Sequence, residues 1–358
     1  MNNADVETKK CDGCGAKLIF DGKSNCLVCK HCDSSYAVKN IQYTQKNLLN
    51  IPNLKNEVID NNCITIKCDN CGASIEIKSA TMSCMCPYCG NSKIVKDNDK
   101  TDYLPDAIIP FSLDKKDVVA VFNNWIKKRK FVPKQFKKID EIDSIRETYY
   151  PSWIFDSETN TKYNGVLEYR REEQYTDSDG NRKTRTYIEH RRVSGNRSDR
   201  FKNLVYISSK DNKESVTKIL PFNFDRIKVY SSDYLVGIFT KHYDISLKDT
   251  WRKADNDIAN MIKENIIISY RADGCSFMNT EVSHTKTEYC YVFLPVWLAS
   301  YMYKGKSYDI FINGTNGNIY GKTPKSVVKI ILFVLMIVFG VFLISYLFAR
   351  ASGARLGG

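Results

Sequence analysis

Histidine is scarce: the 358 residues contain four (His31, His190, His242 and His284), and no two stand at the spacing of a metal-ligand pair or a catalytic couple. A nucleophile elbow, a His-Glu-x-x-His helix and a glycine-rich dinucleotide loop are absent as well. The stretch "GNIYGKT" (317–323) comes nearest to a phosphate loop, but its first glycine is one residue too close and Pro324 follows where a helix should begin. These gaps point to a protein that is not an enzyme, and no catalytic or cofactor-binding residue is singled out. Nothing at the N-terminus resembles a secretory leader, and cysteine nearly vanishes from the larger part of the chain: only Cys275 and Cys290 of thirteen lie beyond residue 90. Free thiols in a reducing compartment are the expectation, with that last pair buried.

The earlier cysteines are ordered. "CDGCGA" (11–16) recurs as "CDNCGA" (68–73), and the 57-residue offset carries Cys11, Cys14, Cys29 and Cys32 onto Cys68, Cys71, Cys86 and Cys89 without a gap. Each set reads C-x2-C, fourteen residues, C-x2-C. Two such turns facing each other supply four thiolates at about 2.3 Å around a tetrahedral Zn2+, a closed and therefore structural shell. The eight cysteines predict two zinc ribbons and two structural Zn2+ ions, and the matched spacing disfavours disulfides among them. Gly15, Gly72 and Gly90 follow a cysteine where the backbone must curl around the sulfur; at Cys32 that place is taken by Asp33. Cys26 and Cys84 fall out of register, aligning with Ser83 and Leu27, and are read as bystanders; His31, between two cysteines, is read as solvent-facing on the turn.

Only one long hydrophobic run exists. "IILFVLMIVFGVFLISYLFA" (330–349) carries no charge over twenty residues, enough at about 1.5 Å per residue to cross a bilayer core of about 30 Å. The prediction is a single C-terminal transmembrane helix with Lys325, Lys329 and Arg350 at its ends. Three lysines upstream (Lys322, Lys325, Lys329) against two arginines downstream (Arg350, Arg355) orient it weakly, so the reduced zinc sites carry the expectation that the N-terminal bulk is cytoplasmic. The parts expected are a first ribbon (1–40), a linker (41–62), a second ribbon (63–98), an α+β cytoplasmic body (99–325), the transmembrane helix (326–349) and a disordered polar tail (350–358).

The body is predicted as a mixed α+β domain. Val118, Phe122, Trp125 and Ile126 form a helical stripe after Ser112 as N-cap, ended by "KKRK" (127–130). A second helix opens at Ser246-x-x-Asp249 and aligns Leu247, Trp251, Ala254, Ile258 and Ile262. Hairpins are expected around Asp179-Gly180-Asn181 and from Asn313-Gly314 to Gly317. A fainter repeat pairs "IIPF" (108–111) with "ILPF" (219–222) and "YYPSWI" (149–154) with "FLPVWL" (293–298), which reads as two related halves. Each proline would stiffen the start of a strand and each tryptophan would anchor the core.

This order of parts resembles the TFIIB-type zinc-ribbon membrane proteins of Firmicutes, a group often mislabelled as a primosomal helicase, over most of the chain after Lys9. The resemblance implies a non-enzymatic membrane protein working with partner proteins, some of them similar to proteins encoded beside flotillin-like and membrane-stress components. The expected function is a membrane-anchored adaptor in contact with the lipid bilayer. The rival is a membrane-tethered nucleic-acid-binding regulator, favoured by the formal charge of +12. Yet residues 168–202 hold ten Lys/Arg against seven Asp/Glu, the mix of a solvated face. Metal analysis of the purified chain, reduced and chelator-free, should return about two zinc ions per chain; one or none would count against the paired-ribbon reading.

Overall fold

The chain beyond its cysteine clusters is rich in β-branched and aromatic residues, and strand is accordingly its main element. The computed structural model describes residues 5–7, 9–38, 45–48, 63–67, 74–78, 81–85, 92–96, 104–133, 145–303 and 306–353. In chain order the first elements are β1 (Asp5–Glu7), β2 (Leu18–Asp21), β3 (Cys26–Cys29), β4 (Ser35–Ala37), β5 (Lys46–Asn47), β6 (Cys63–Lys67), β7 (Ser74–Lys78), β8 (Thr81–Met85) and β9 (Ser92–Lys96). Next come β10 (Ala107–Ile108), α1 (Lys115–Lys127), β11 (Arg146–Thr176), β12 (Arg182–Ile207), α2 (Lys213–Thr217), β13 (Lys228–Val229) and β14 (Phe239–Lys241). The last are α3 (Leu247–Ser269), β15 (Gly274–Tyr303), β16 (Lys306–Asn313), β17 (Ile319–Gly321) and α4 (Val327–Gly353). The class is mixed α+β, with more strand than helix.

The chain divides into two units: Met1–Pro110, Tyr149–Lys213 and Phe224–Leu294 make the first, and Phe111–Thr148, Glu214–Asn223 and Pro295–Gly358 the second. In the first, strands follow the order β1-β9-β8-β14-β11-β15-β10-β13, with β12 beside β11 and β5 beside β15. β11 and β12 pair from Ser152↔Ile207 to Thr176↔Arg182 with a bulge between Phe155 and Ser157. At its tip the Asp177 carboxylate accepts from the Asp179 and Asn181 amides at 3.0 and 2.8 Å, and Gly180 takes φ 83°, as the Asp-Gly-Asn turn predicted. α3 packs Ile258, Ile262 and Ile266 with Phe201, flanked by Trp251, Met278 and Val282. Each such isoleucine contributes about 1.5–3 kcal/mol of burial. Its N-cap is Ser246, whose Oγ accepts from the Asp249 amide at 3.1 Å, as the spacing predicted.

In the second unit, residues 296–303 of β15 pair with β16, and β16 pairs with β17. α1 buries Val118, Phe122 and Ile126. Its N-cap is Asp114 rather than Ser112: the Asp114 and Asp117 carboxylates accept from each other's backbone amides at 2.9 and 3.1 Å, a reciprocal cap that Ser112, two residues too early, cannot make. Ser112 and Leu113 instead donate their amides to the Gly314 carbonyl. Val327–Phe348 of α4 is long and apolar enough to cross a membrane, with mean hydropathy 3.1 and none of it buried.

The Pro-x-Trp blocks behave alike in the two units. In the first, Ser208 N donates to Pro151 O at 2.9 Å, Asp244 N and Ile245 N donate to Ser208 O at 2.7 and 3.0 Å, and Trp153 Nε1 donates to Ile245 O at 3.2 Å, just before the α3 cap. In the second, Gly314 N donates to Pro295 O at 2.9 Å, Ser112 N and Leu113 N donate to Gly314 O at 2.9 and 3.1 Å, and Trp297 Nε1 donates to Leu113 O at 3.2 Å, just before the α1 cap. A Cβ on Gly314 would lie 2.7 Å from Phe111, so glycine is needed there. Each unit thus joins the Pro-x-Trp strand of one sequence half to the helix of the other. Pro151 and Pro295 lie inside β11 and β15 rather than at strand starts, each with its carbonyl used in this circuit.

His242, just after β14, is 7 % exposed, and burial lowers its pKa from 6.5 to about 4. Between those values the unfolded chain binds the extra proton, so this contribution is intact above about pH 6.5 and lost as pH falls towards 4. The loss expected is of order 3 kcal/mol. Urea midpoints followed from neutral pH into this acid range should fall for the native chain and fall less for His242→Gln; parallel curves would remove His242 as the cause.

Candidate metal centre

Two short turns make the first cysteine cluster, and both use the same backbone pattern. Gly15 N donates to Cys11 O at 2.8 Å while Cys11 N donates to Ala16 O at 2.7 Å; likewise Asp33 N donates to Cys29 O and Cys29 N to Ser34 O, both at 2.9 Å. Gly15 has φ 69° and Asp33 φ 58°, so the aspartate at Cys32 adopts the left-handed conformation that glycine supplies at Cys14. β2, β3 and β4 hold the turns together through Leu18↔Cys29 and Val28↔Ser35.

The sulfurs of Cys11, Cys14, Cys29 and Cys32 all lie within 4.8 Å of one another. Cys11 to Cys32 and Cys14 to Cys29 are each 3.5 Å. Tetrahedral Zn2+ with 2.3 Å bonds sets sulfurs roughly 3.8 Å apart, so the four-sulfur set fits such an ion and fills its coordination. The Tyr36 hydroxyl, 3.3 Å from the Cys11 sulfur, accepts from the Asp12 amide at 3.1 Å and lowers the Cys11 pKa to about 6. The Ala16 amide works to lower the Cys14 pKa, but the Cys32 sulfur, burial and the other two sulfurs push it up to about 12. Four crowded thiols resist joint ionisation without a cation, and a bound divalent ion supplies that charge. Cys26 is not in the cluster; its thiol donates to Ser24 O at 3.4 Å. His31 is exposed, as expected.

The strand side of this ribbon lies against its own unit. Phe20 meets the Tyr234 ring edge-on at 4.8 Å, Arg226 Nη2 donates to Gly22 O at 2.7 Å, and Lys9 pairs with Asp233. Asp12–Gly15 and Lys30–Asp33, the turns themselves, stay exposed.

Cys68, Cys71, Cys86 and Cys89 lie outside the described residues. The strands around them keep the 57-residue offset in their pairing: Lys10↔Lys17 corresponds to Lys67↔Ser74, Cys26↔Ala37 to Ser83↔Ile94, Leu27↔Tyr36 to Cys84↔Lys93 and Val28↔Ser35 to Met85↔Ser92.

One arrangement escaped the sequence. Ser157 Oγ on β11 lies 2.8 Å from His284 Nδ1 on β15, and His284 Nε2 lies 2.8 Å from Asp255 Oδ1 on α3. No fixed spacing signals it, because the three residues come from three elements. Ser157 is 1 % exposed and its hydroxyl also lies 3.3 Å from that of Thr287, so the array ties α3 to the sheet at the bulge and presents no open nucleophile.

No family model and no solved structure matches the chain. A curated relative does. The chain is similar to the uncharacterized protein YdjG of Bacillus subtilis, 28% identical over 325 residues that cover 88% of this chain and 90% of that one. The likeness therefore runs through ribbon region and body together rather than through a cysteine motif alone.

Replacing Tyr36 by Phe should weaken zinc binding by about tenfold, since groups bonded to the ligands tune metal affinity. Cys26→Ser should leave both affinity and stoichiometry unchanged. Competition with a chromophoric chelator measures both; weaker binding in Cys26→Ser would put that thiol in the shell.

Proposed function

We propose that this chain is a non-enzymatic adaptor of the TFIIB-type zinc-ribbon membrane protein kind, anchored by α4 with its N-terminal bulk in the cytoplasm and recruiting partner proteins there. The observation that carries this reading is the division of the first ribbon into a docked side and a free side. Its strands are pinned to the body through Phe20, Gly22 and Lys9, whereas the turns Asp12–Gly15 and Lys30–Asp33 face solvent. A four-sulfur shell leaves no position for a reacting water, so zinc there shapes a surface.

The second Zn2+ is assigned in this reading to Cys68, Cys71, Cys86 and Cys89, supported by the strand register that repeats around them. A second turn surface of this kind on the same chain would allow two-point engagement, which raises avidity. The matched hydrogen-bond circuits support reading the body as two related halves. Flotillin-like or membrane-stress partners follow from the resemblance. Against the nucleic-acid alternative stands the hairpin, where Arg171 and Arg185 are held by Glu189 and Glu173 at 2.8 and 2.7 Å, so its charge is largely spent internally.

Crosslinking in intact membranes tests this, comparing the native chain with Lys30→Glu plus His31→Ala. The doubly substituted chain should keep its zinc and its membrane fraction yet lose about tenfold of the captured partner. Equal capture by both would remove the ribbon from recruitment. Submicromolar, steeply salt-dependent DNA or RNA binding that the same substitutions abolish would favour the tethered regulator.

A further inference from the structure

The basic run that ends α1 is far in sequence from the start of α4, yet within the second unit the two residues that follow the run, Phe131 and Val132, meet that start. Phe131 O accepts from Ser326 N at 2.7 Å, Val132 O accepts from Lys329 Nζ at 2.6 Å, and the Phe131 and Phe333 rings meet edge-on at 5.2 Å. Phe131 reaches this position with φ 63°, a left-handed turn that a bulky residue adopts only when its surroundings hold it there.

Phe333 belongs to the apolar span Val327–Phe348, so a bilayer around that span would bring its polar boundary to the level of the Phe131 turn. Immediately before that turn stand Lys127, Lys128, Arg129 and Lys130, all exposed. Arg129 lies 4.6 Å over the Trp125 ring, an amphipathic pair suited to a headgroup layer. Lys322 and Lys325 are also exposed and lead directly into Ser326. Among the described residues, Lys127, Lys128, Lys130, Lys322 and Lys325 have no ion-pair partner, and the acidic cap of α1, Asp114 and Asp117, sits at the helix's other end. At 1.5 Å per residue that is roughly 20 Å away, about two Debye lengths.

We propose that Lys127–Lys130, with Lys322, Lys325 and Lys329, form a basic collar around the start of α4 that binds the anionic headgroups of phospholipids. The collar rests on the membrane reading of α4 given above. It adds four cations to the three lysines on the upstream side, against Arg350 and Arg355 downstream, and so turns a weak charge asymmetry into a strong one in the folded protein. The anionic leaflet faces the cytoplasm, which is the side the reduced cysteines require.

The full chain reconstituted in phosphatidylcholine vesicles with spin-labelled phosphatidylglycerol or phosphatidylcholine provides the test. Electron spin resonance should give a several-fold preference for phosphatidylglycerol in the lipid shell of α4. Lys127→Gln, Lys128→Gln, Arg129→Gln and Lys130→Gln together should cut that preference by about fivefold or more, and Arg182→Gln with Lys183→Gln at the hairpin tip should not. A chain that stays in the vesicles through a high-salt wash but shows equal association with both lipids overturns the collar alone. A chain that fails to float with vesicles overturns the membrane reading and the collar with it. Equal loss in both substituted chains reduces the effect to net charge, and a preference displaced by duplex DNA reassigns the patch to nucleic acid; either result overturns the proposal.

Discussion

A helix that begins beside a strand exposes amide and carbonyl groups at the junction, and each one buried without a partner costs about 1–3 kcal/mol. Both long helices of the body meet this constraint with an indole. Trp153 and Trp297, each two residues after a strand proline, donate to the carbonyl that precedes the helix cap, while the proline carbonyl is satisfied by the neighbouring strand's end. The tryptophans are nearly solvent-free and are surrounded by rings, Tyr243 and Tyr291 for one and Phe111 for the other. Proline suits these strand positions because the group it lacks, an amide, is not the one the circuit uses.

The ribbon is stabilised on different terms. Its strands are three or four residues long, too short to bury a core of their own, and Leu18, Phe20 and Leu27 account for much of what they hide. Four sulfurs brought within 4.8 Å of one another become an asset only with a cation between them. Phe20 links the two regimes, because its ring is shared with Tyr234 of the body. A metal ion held by these sulfurs would therefore order turns whose strands are already fixed to the body.

Charge is treated in opposite ways at two places. On the long hairpin, arginines sit over Tyr169 and Tyr175 and pair with Glu189 and Glu173 across the strands, so much of the positive charge there has an anion beside it. At the foot of α4 the cations stand together beside aromatic rings, which is unfavourable in water alone and favourable beside an anionic leaflet.

Short-range patterns in the sequence determined the C-x2-C turns, the Ser246 cap of α3, the Asp-Gly-Asn turn and the apolar stretch of α4, because each rests on side chains within a few residues of the groups they satisfy. At the α1 cap the structure differs from the sequence expectation by two residues: Ser112 and Asp114 are both capping types, and only the Asp117 amide and carboxylate distinguish them. Tertiary structure alone decided that each Pro-x-Trp strand serves the helix of the other sequence half, that Ser157, His284 and Asp255 converge, and that a basic run after α1 stands beside α4. Among these contacts are pairs 29 and 197 positions apart. Such pairings are set by which strands lie side by side, a choice made by the burial of whole faces rather than by any local spacing, and so no short stretch of sequence encodes them.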